Sequence, residues 1–262
     1  MCYGPQAEGA GTMIGYKTLG GGEHNVLMLH GWFGDETSFA PMQDALSLGE
    51  FTYAAMAYRG YGASRQQRGE YSMAEIAADA LDLVDALEWD SFSLVGHSMG
   101  GMAAQRVLAD APLRVRKIVA IAPVPASGVP FDPDTWMLFD GAAKSLDNRR
   151  AIIDFSTGGR LSRSWIDRIA RHSAEGATIE AFAAYLQSWA KTDFSAAIKG
   201  NSVPIKVIVG EHDRALTAEI MRATYLASYP NAELEVMANA GHYPMNETPV
   251  ALATSIEAFL RR

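Results

Sequence analysis

Hydrophobic positions in this chain fall into short unbroken runs separated by stretches of helical period. Runs at about Asn25 to Leu29, Phe51 to Ala57, Ser91 to Val95, Lys117 to Ala122, Ile205 to Val209 and Leu234 to Met237 read as strands. Because they are nearly continuous rather than alternating, they predict a parallel sheet covered on both faces. Tyr16 to Leu19 reads as an antiparallel edge strand leading in. Between the runs, Ser72 with Glu75 three residues on forms a capping box, and Ile76, Ala80, Leu81, Val84 and Leu87 then make one apolar stripe. Further helices are expected after Ser98, Thr217 and Glu247. Strand, helix, strand in alternation predicts an α/β protein with a mostly parallel, doubly wound sheet.

From Ala126 to Lys199 the strand signal stops and helical patterns follow one another, with Ile179, Phe182, Leu186 and Trp189 spaced to share a face. The expected organisation is therefore a core over residues 1–125 and 200–262 with a helical insertion over 126–199. The insertion's acidic and basic residues balance, which leaves the formal charge of −8 on the flanking parts. That charge disfavours nucleic-acid backbones and anionic lipid as partners. A single cysteine, Cys2, can close no internal disulfide, and neither a basic leader nor a long apolar span is present, so a reduced, cytoplasmic setting off the membrane is expected. No cofactor or metal is expected, and nothing near Cys2 supplies metal-ligand spacing.

The chemistry concentrates at strand ends. Gly96-His97-Ser98-Met99-Gly100 closes an apolar run and opens a helix. A chain of this composition holds about 0.15 such G-x-S-x-G matches by chance, so the placement between strand and helix carries the signal. A serine there needs a base, and the base needs an acid to orient it. Of six histidines, His24 reads as lying in a Gly-rich loop, His172 on a predicted helix, His30 and His97 beside turn glycines, and His212 against the best acid. His242 remains, just after the last strand. Asp213 follows the strand ending at Val209, with Glu211 as the rival acid. The order Ser98, Asp213, His242 is one of the three known orders of this triad. An oxyanion would be held by the backbone N–H of Met99, at a helix N-terminus, and by that of Trp32 or Phe33 in His30-Gly31-Trp32-Phe33-Gly34.

With elbow serine, His-Gly loop, acid and late histidine in this order, the sequence resembles the α/β-hydrolase superfamily over essentially its whole length. The Gly96-His97-Ser98-Met99-Gly100-Gly101 and His30-Gly31-Trp32 segments look like those of bacterial carboxylesterases, enol-lactonases and cofactor-free perhydrolases. The resemblance implies Trp32 and Met99 as the oxyanion donors and maps Ala126 to Lys199 onto a cap that roofs the site. Arg59-Gly60-Tyr61-Gly62-Ala63-Ser64 is similar to the family's D-x-R-G-x-G-x-S turn, with Ala57 in place of the aspartate, a departure that predicts a looser turn. A serine at the elbow sets the chain apart from relatives with an aspartate nucleophile, the haloalkane dehalogenases and epoxide hydrolases. The implied activity is hydrolysis of a small, largely apolar ester or lactone through an acyl-enzyme. Perhydrolase-type chemistry and a ligand receptor that keeps a slow triad are the alternatives. Phe33, Trp136, Phe139, Trp165, Phe182, Trp189 and Tyr243 are candidates to line the pocket or else to pack the cap. Arg149, Arg150, Arg160, Arg163, Arg168 and Arg171 offer either a carboxylate clamp or a solvated face.

Overall fold

The structure, a computed structural model, describes residues 13–262, so Cys2 and the N-terminal segment lie outside the described residues. Among the described residues seven strands form one sheet: β1 (Tyr16–Gly20), β2 (His24–Leu29), β3 (Phe51–Met56), β4 (Phe92–His97), β5 (Val115–Ile121), β6 (Ile205–Gly210) and β7 (Ala232–Met237). Their order is β1-β3-β2-β4-β5-β6-β7, parallel except for β1, which runs antiparallel to β3 with Tyr16 opposite Met56. Every residue of β4 is buried, as the unbroken apolar run requires of a strand covered on both faces. His24 begins β2, with its Nε2 2.8 Å from Ser93 Oγ, rather than lying in the preceding loop.

Two core helices, α1 (Met73–Ala86) and α2 (Met99–Asp110), pack against each other, and α2 also packs on β4 and β5. Ser72 caps α1 by accepting from the Glu75 N–H at 3.1 Å. The other half of the expected capping box is displaced: the Glu75 carboxylate accepts from the N–H groups of Glu70 and Tyr71, at 3.0 and 2.8 Å. The buried stripe of α1 is Met73, Ile76, Ala77, Ala80, Leu83 and Val84, so Leu81 and Leu87 flank it.

Between β5 and β6 run α3 (Pro133–Gly141), α4 (Leu146–Ser156), α5 (Arg163–Gly176), α6 (Ile179–Lys191) and the short α7 (Ser195–Ile198). The first four begin at Asp132, Ser145, Ser162 and Thr178, whose side chains each accept backbone N–H groups one turn on. The inner face of α6 is Ala181, Phe182, Tyr185, Leu186 and Trp189, whereas Ile179 at its first turn is exposed. After β6 come α8 (Ala218–Ala223) and α9 (Tyr225–Ser228), and after β7 come α10 (Pro244–Glu247) and α11 (Pro249–Arg261). α11 packs on the 3-10 turn Ala40–Ala45. The carboxyl ends of the parallel strands share one edge, and there lie Trp32, Ser98, Asp213 and His242.

Candidate active site

Ser98 stands between β4 and α2 at φ 54° and ψ −116°, a conformation that disfavours any Cβ. Its own backbone fixes it: the N–H donates to the Ile121 carbonyl at 2.9 Å, and its carbonyl accepts from Gly101 and Val124 at 2.9 and 3.0 Å. The neighbouring glycines permit the turn. A Cβ on Gly96 would strike the Gly100 carbonyl, and one on Gly100 would strike the Leu29 carbonyl of the adjacent strand. The turn thus lifts the Ser98 side chain out of an otherwise buried segment. Met99 opens α2, so its N–H has no partner within the helix and carries the positive end of the helix dipole.

The His-Gly loop lies directly against this turn. A Cβ on Gly31 would come within 2.7 Å of His97 Nδ1 and 3.2 Å of the Ser98 Cβ, so only glycine allows the approach. His30 anchors the loop from below. Its Nδ1 donates to the Gly31 carbonyl at 2.8 Å, its Nε2 faces the Tyr58 N–H at 3.4 Å, and its ring stacks on Tyr58. Complete burial lowers its pKa to about 4, so it is neutral and keeps that single tautomer. Gly34 N–H closes a turn onto the Gly31 carbonyl at 3.0 Å, and neither the Trp32 nor the Phe33 N–H has a backbone acceptor among the described residues.

His242 and Asp213 form a pair. Nδ1 of His242 donates to Asp213 Oδ2 at 2.7 Å, while Oδ1 accepts from the N–H groups of Ala215 and Leu216 at 2.8 and 3.1 Å. The Asp213 side chain is fully buried. This fixes the His242 tautomer with the lone pair on Nε2. His97, one residue before Ser98, donates from Nε2 to the His242 carbonyl at 2.8 Å and binds the two loops together. Burial holds His97 well below the ordinary imidazole range, so it is a neutral strut. Glu211 points elsewhere: its Oε2 accepts from the Asn239 N–H at 3.0 Å, and the side chain is about half exposed.

Further groups hold the His242 loop. Glu247 accepts from the N–H groups of Gly241 and Tyr243, at 2.8 and 3.1 Å, and pairs with Arg160 at 2.7 Å. Arg160 also donates to the Asn239 carbonyl at 2.8 Å, and the His242 N–H reaches the Ser156 carbonyl at 3.2 Å. Sequence reading singled out neither Glu247 nor this use of Arg160. The one available signal was an acid one turn beyond a histidine in a loop rich in small residues. The Arg59 turn is likewise firm despite Ala57: Arg59 makes two bonds to Asp79 of α1, at 2.8 and 2.7 Å, and Ser64 Oγ accepts from the Gly15 N–H at 2.7 Å. The acid within the apolar stripe of α1 was the missed signal.

The aromatic candidates divide. Trp32 stacks on Phe182 with centroids 4.1 Å apart and on Phe139 at 5.8 Å, meets Trp189 edge-on at 5.6 Å, and donates from Nε1 to the Phe182 carbonyl at 2.8 Å. Phe139, Phe182 and Trp189 therefore wall Trp32 in. Phe33 and Tyr243 line a cavity of about 310 Å³ with His97, Arg168, His172 and Asn246. Neither Ser98 nor His242 is in its wall, which abuts their loops through His97 and Tyr243. Trp165 packs edge-on against Tyr243 at 5.5 Å. Trp136 lines an open depression with Phe131 and Lys191, and Phe131 in turn packs on Phe139 and Trp189, with centroids 4.6 and 5.7 Å away. No group of three or more His, Cys, Asp or Glu side chains could hold a metal among the described residues, and no helix there is long and apolar enough to cross a membrane.

A strand-to-helix serine, a glycine-backed loop over it and a carboxylate-bound histidine at the same sheet edge define a hydrolase-like α/β site. The chain belongs to the alpha/beta hydrolase family, whose model matches residues 26–255. It is 38% identical over 113 residues to the serine hydrolase BPHL of Mus musculus, covering 42% of this chain and 39% of that one. It is 30% identical over 259 residues to the "Putative non-heme chloroperoxidase" of Synechocystis sp., covering 90% of this chain and 91% of that one. The chain spans 63% of the length of one further curated relative. Among solved structures, the bromoperoxidase of Bacillus anthracis superposes with a TM-score of 0.85 at 23% identity, over 94% of this chain and 95% of that one.

Proposed function

We propose that this protein is a serine hydrolase that cleaves a carboxylic ester or lactone of a small, largely apolar substrate through an acyl-enzyme on Ser98. The observation that carries the reading is the buried His242–Asp213 hydrogen bond of 2.7 Å, tied by His97 to the elbow that presents Ser98. In this reading His242 Nε2 takes the Ser98 proton as Oγ attacks the carbonyl. The N–H groups of Trp32 and Met99 hold the oxyanion, Asp213 stabilises the imidazolium, and His242 then protonates the leaving oxygen. Water repeats the sequence to release the acid. The helices between β5 and β6 act as a cap, with the aromatic wall around Trp32 excluding water.

The test is a stopped-flow time course of p-nitrophenyl acetate cleavage by wild type and Ser98→Ala. Many turnovers are expected in wild type and a fall in kcat on the order of 10⁴ or more in the variant, with His242→Ala matching it. Full activity in Ser98→Ala overturns the reading. A second reading, perhydrolysis at the same triad, is favoured by the match to the cyanobacterial protein over nine-tenths of both chains. It predicts peroxide-dependent halogenation of a dye that also disappears in Ser98→Ala.

A further inference from the structure

Arg149 of α4 is buried to 3% exposure and has no carboxylate partner among the described residues. Nε donates to the Ala142 carbonyl at 2.8 Å and Nη1 to Ser173 Oγ at 2.9 Å, both neutral acceptors. Nη2 has no protein acceptor among the described residues. Burial lowers the guanidinium to about 10, which leaves it charged at neutral pH. An interior charge without a counter-charge is unfavourable, and a helix staple made from two neutral hydrogen bonds does not need one.

Its position relates it to the candidate site. The Arg149 Cζ lies 3.6 Å from the centroid of Phe182, and Trp32 stacks on the same ring at 4.1 Å. Two groups that close must occupy opposite faces, so Phe182 is sandwiched between Arg149 and the tryptophan whose N–H is the proposed oxyanion donor. Phe33, the next residue of that loop, is 6.0 Å from Cζ and also forms a wall of the 310 Å³ cavity. Ser173, which Arg149 holds, adjoins His172 and follows Ile169 by one turn, and both of those line the cavity. The Arg149 charge bears on Tyr61, and the Tyr61 hydroxyl, fully buried, has no partner. The Tyr185 hydroxyl and Trp189 Nε1, on the same face of α6 as Phe182, are also buried without partners. One unpaired hydroxyl that can donate, that of Tyr61, thus lies near a cation whose only compensation is the Phe182 face and two neutral acceptors.

We propose that Arg149, with Tyr61 as its neighbouring donor, binds a carboxylate carried by the substrate's acyl part, making the protein selective for anionic esters or lactones of an otherwise apolar skeleton. The forked guanidinium suits a carboxylate held by two hydrogen bonds, and the ligand's charge would neutralise the interior cation. The kinetic readout rests on the serine-hydrolase reading.

The experiment compares mono-p-nitrophenyl esters of succinate, glutarate and adipate with the neutral butyrate, valerate and hexanoate esters. At one chain length or more, wild type is expected to favour the anionic ester at least tenfold in kcat/KM. Arg149→Met should lower kcat/KM for that ester on the order of 100-fold while changing the neutral ester less than about threefold. Arg149→Lys keeps charge without the fork and should fall between. No anionic preference at any length, or an equal loss on both series in a folded variant, overturns the proposal. Should Arg149→Met fail to fold, Arg149→Lys and competitive inhibition of wild-type valerate ester cleavage by free glutarate decide it: no inhibition, with an unchanged anionic-to-neutral ratio in the Lys variant, overturns it. If no ester is cleaved in a Ser98-dependent way, the hydrolase reading fails by itself. Calorimetric binding of monomethyl glutarate, present in wild type and lost in Arg149→Met or Arg149→Lys, then still tests the anion site.

Discussion

The backbone of Ser98, at φ 54°, is strained so that its hydroxyl projects from a buried turn, and that strain has a measurable sign. Ser98→Gly should raise stability by about 1 kcal/mol, since relief of an unfavourable conformation outweighs the added freedom of the unfolded glycine. Thermal or denaturant unfolding checks it, and ester cleavage should vanish in the same variant. The choice of acid is equally testable. Asp213→Asn leaves His242 facing an amide and should cut kcat on the order of 10⁴, whereas Glu211→Gln, which meets the Asn239 N–H and, at 3.7 Å, His212 but not His242, should leave kcat within about twofold. A severe defect in the glutamine variant would exchange the two roles. The placement of Ser98, Asp213 and His242 after strands of one sheet edge was legible in the sequence, because each follows an apolar run.

Helix α5 meets the loop that carries Trp32 through one ion pair, His172 Nε2 to Asp35 Oδ2 at 2.9 Å. Asp35 also accepts from the Thr37 N–H and hydroxyl, and Glu36 and Arg168 act on the imidazole with opposite sign. The hydrogen bond to Asp35 raises the His172 pKa, and these bonds hold Asp35 well below the usual carboxylate range. A raised histidine stabilises the fold fully below its unfolded value of about 6.5 and loses that contribution as pH rises through the folded value. The half-exposed imidazole limits the gain to no more than about 1 kcal/mol. Wild type should therefore exceed His172→Gln in stability at pH 6 and match it by pH 9, in melts across that range. An undiminished difference at pH 9 would show that packing, not charge, joins the elements. Strand and helix positions were readable from periodicity, but this link was not, because residues 35 and 172 share no local pattern.

Across the molecule, the C-terminal helix is fastened to the far side of the sheet by Glu257. Its buried carboxylate accepts from the Ser47 N–H and hydroxyl, at 2.6 Å each, and from the Tyr53 hydroxyl at 2.8 Å, and pairs with Arg261 at 3.0 Å. These bonds lower its pKa against the opposing effect of burial. The sign is that of a depressed acid: the contribution is present above the unfolded value of about 4.3 and fades as pH falls through the lower folded value. Glu257→Ala leaves several donors unsatisfied and should lose about 2–3 kcal/mol at pH 7, with a smaller difference near pH 3 in denaturant titrations. An equal difference at both pH values would assign the loss to packing instead.

The sequence by itself determined the elements, the sheet class and the order of Ser98, Asp213 and His242, because hydrophobic period and turn chemistry are local properties of the chain. Tertiary structure decided what distant segments do to one another. It put Phe139, Phe182 and Trp189 against Trp32, left Ile179 and Phe155 exposed, and sent Trp136 to an open depression. It gave Asp79 the anchoring role that Ala57 vacates, and Glu247 with Arg160 the His242 loop. Among six arginines of one helical segment, it buried Arg149 and paired Arg150, Arg160 and Arg171 with carboxylates. Burial and the identity of a partner arise only when segments far apart in the chain pack together, and these two quantities set the energy of a charge.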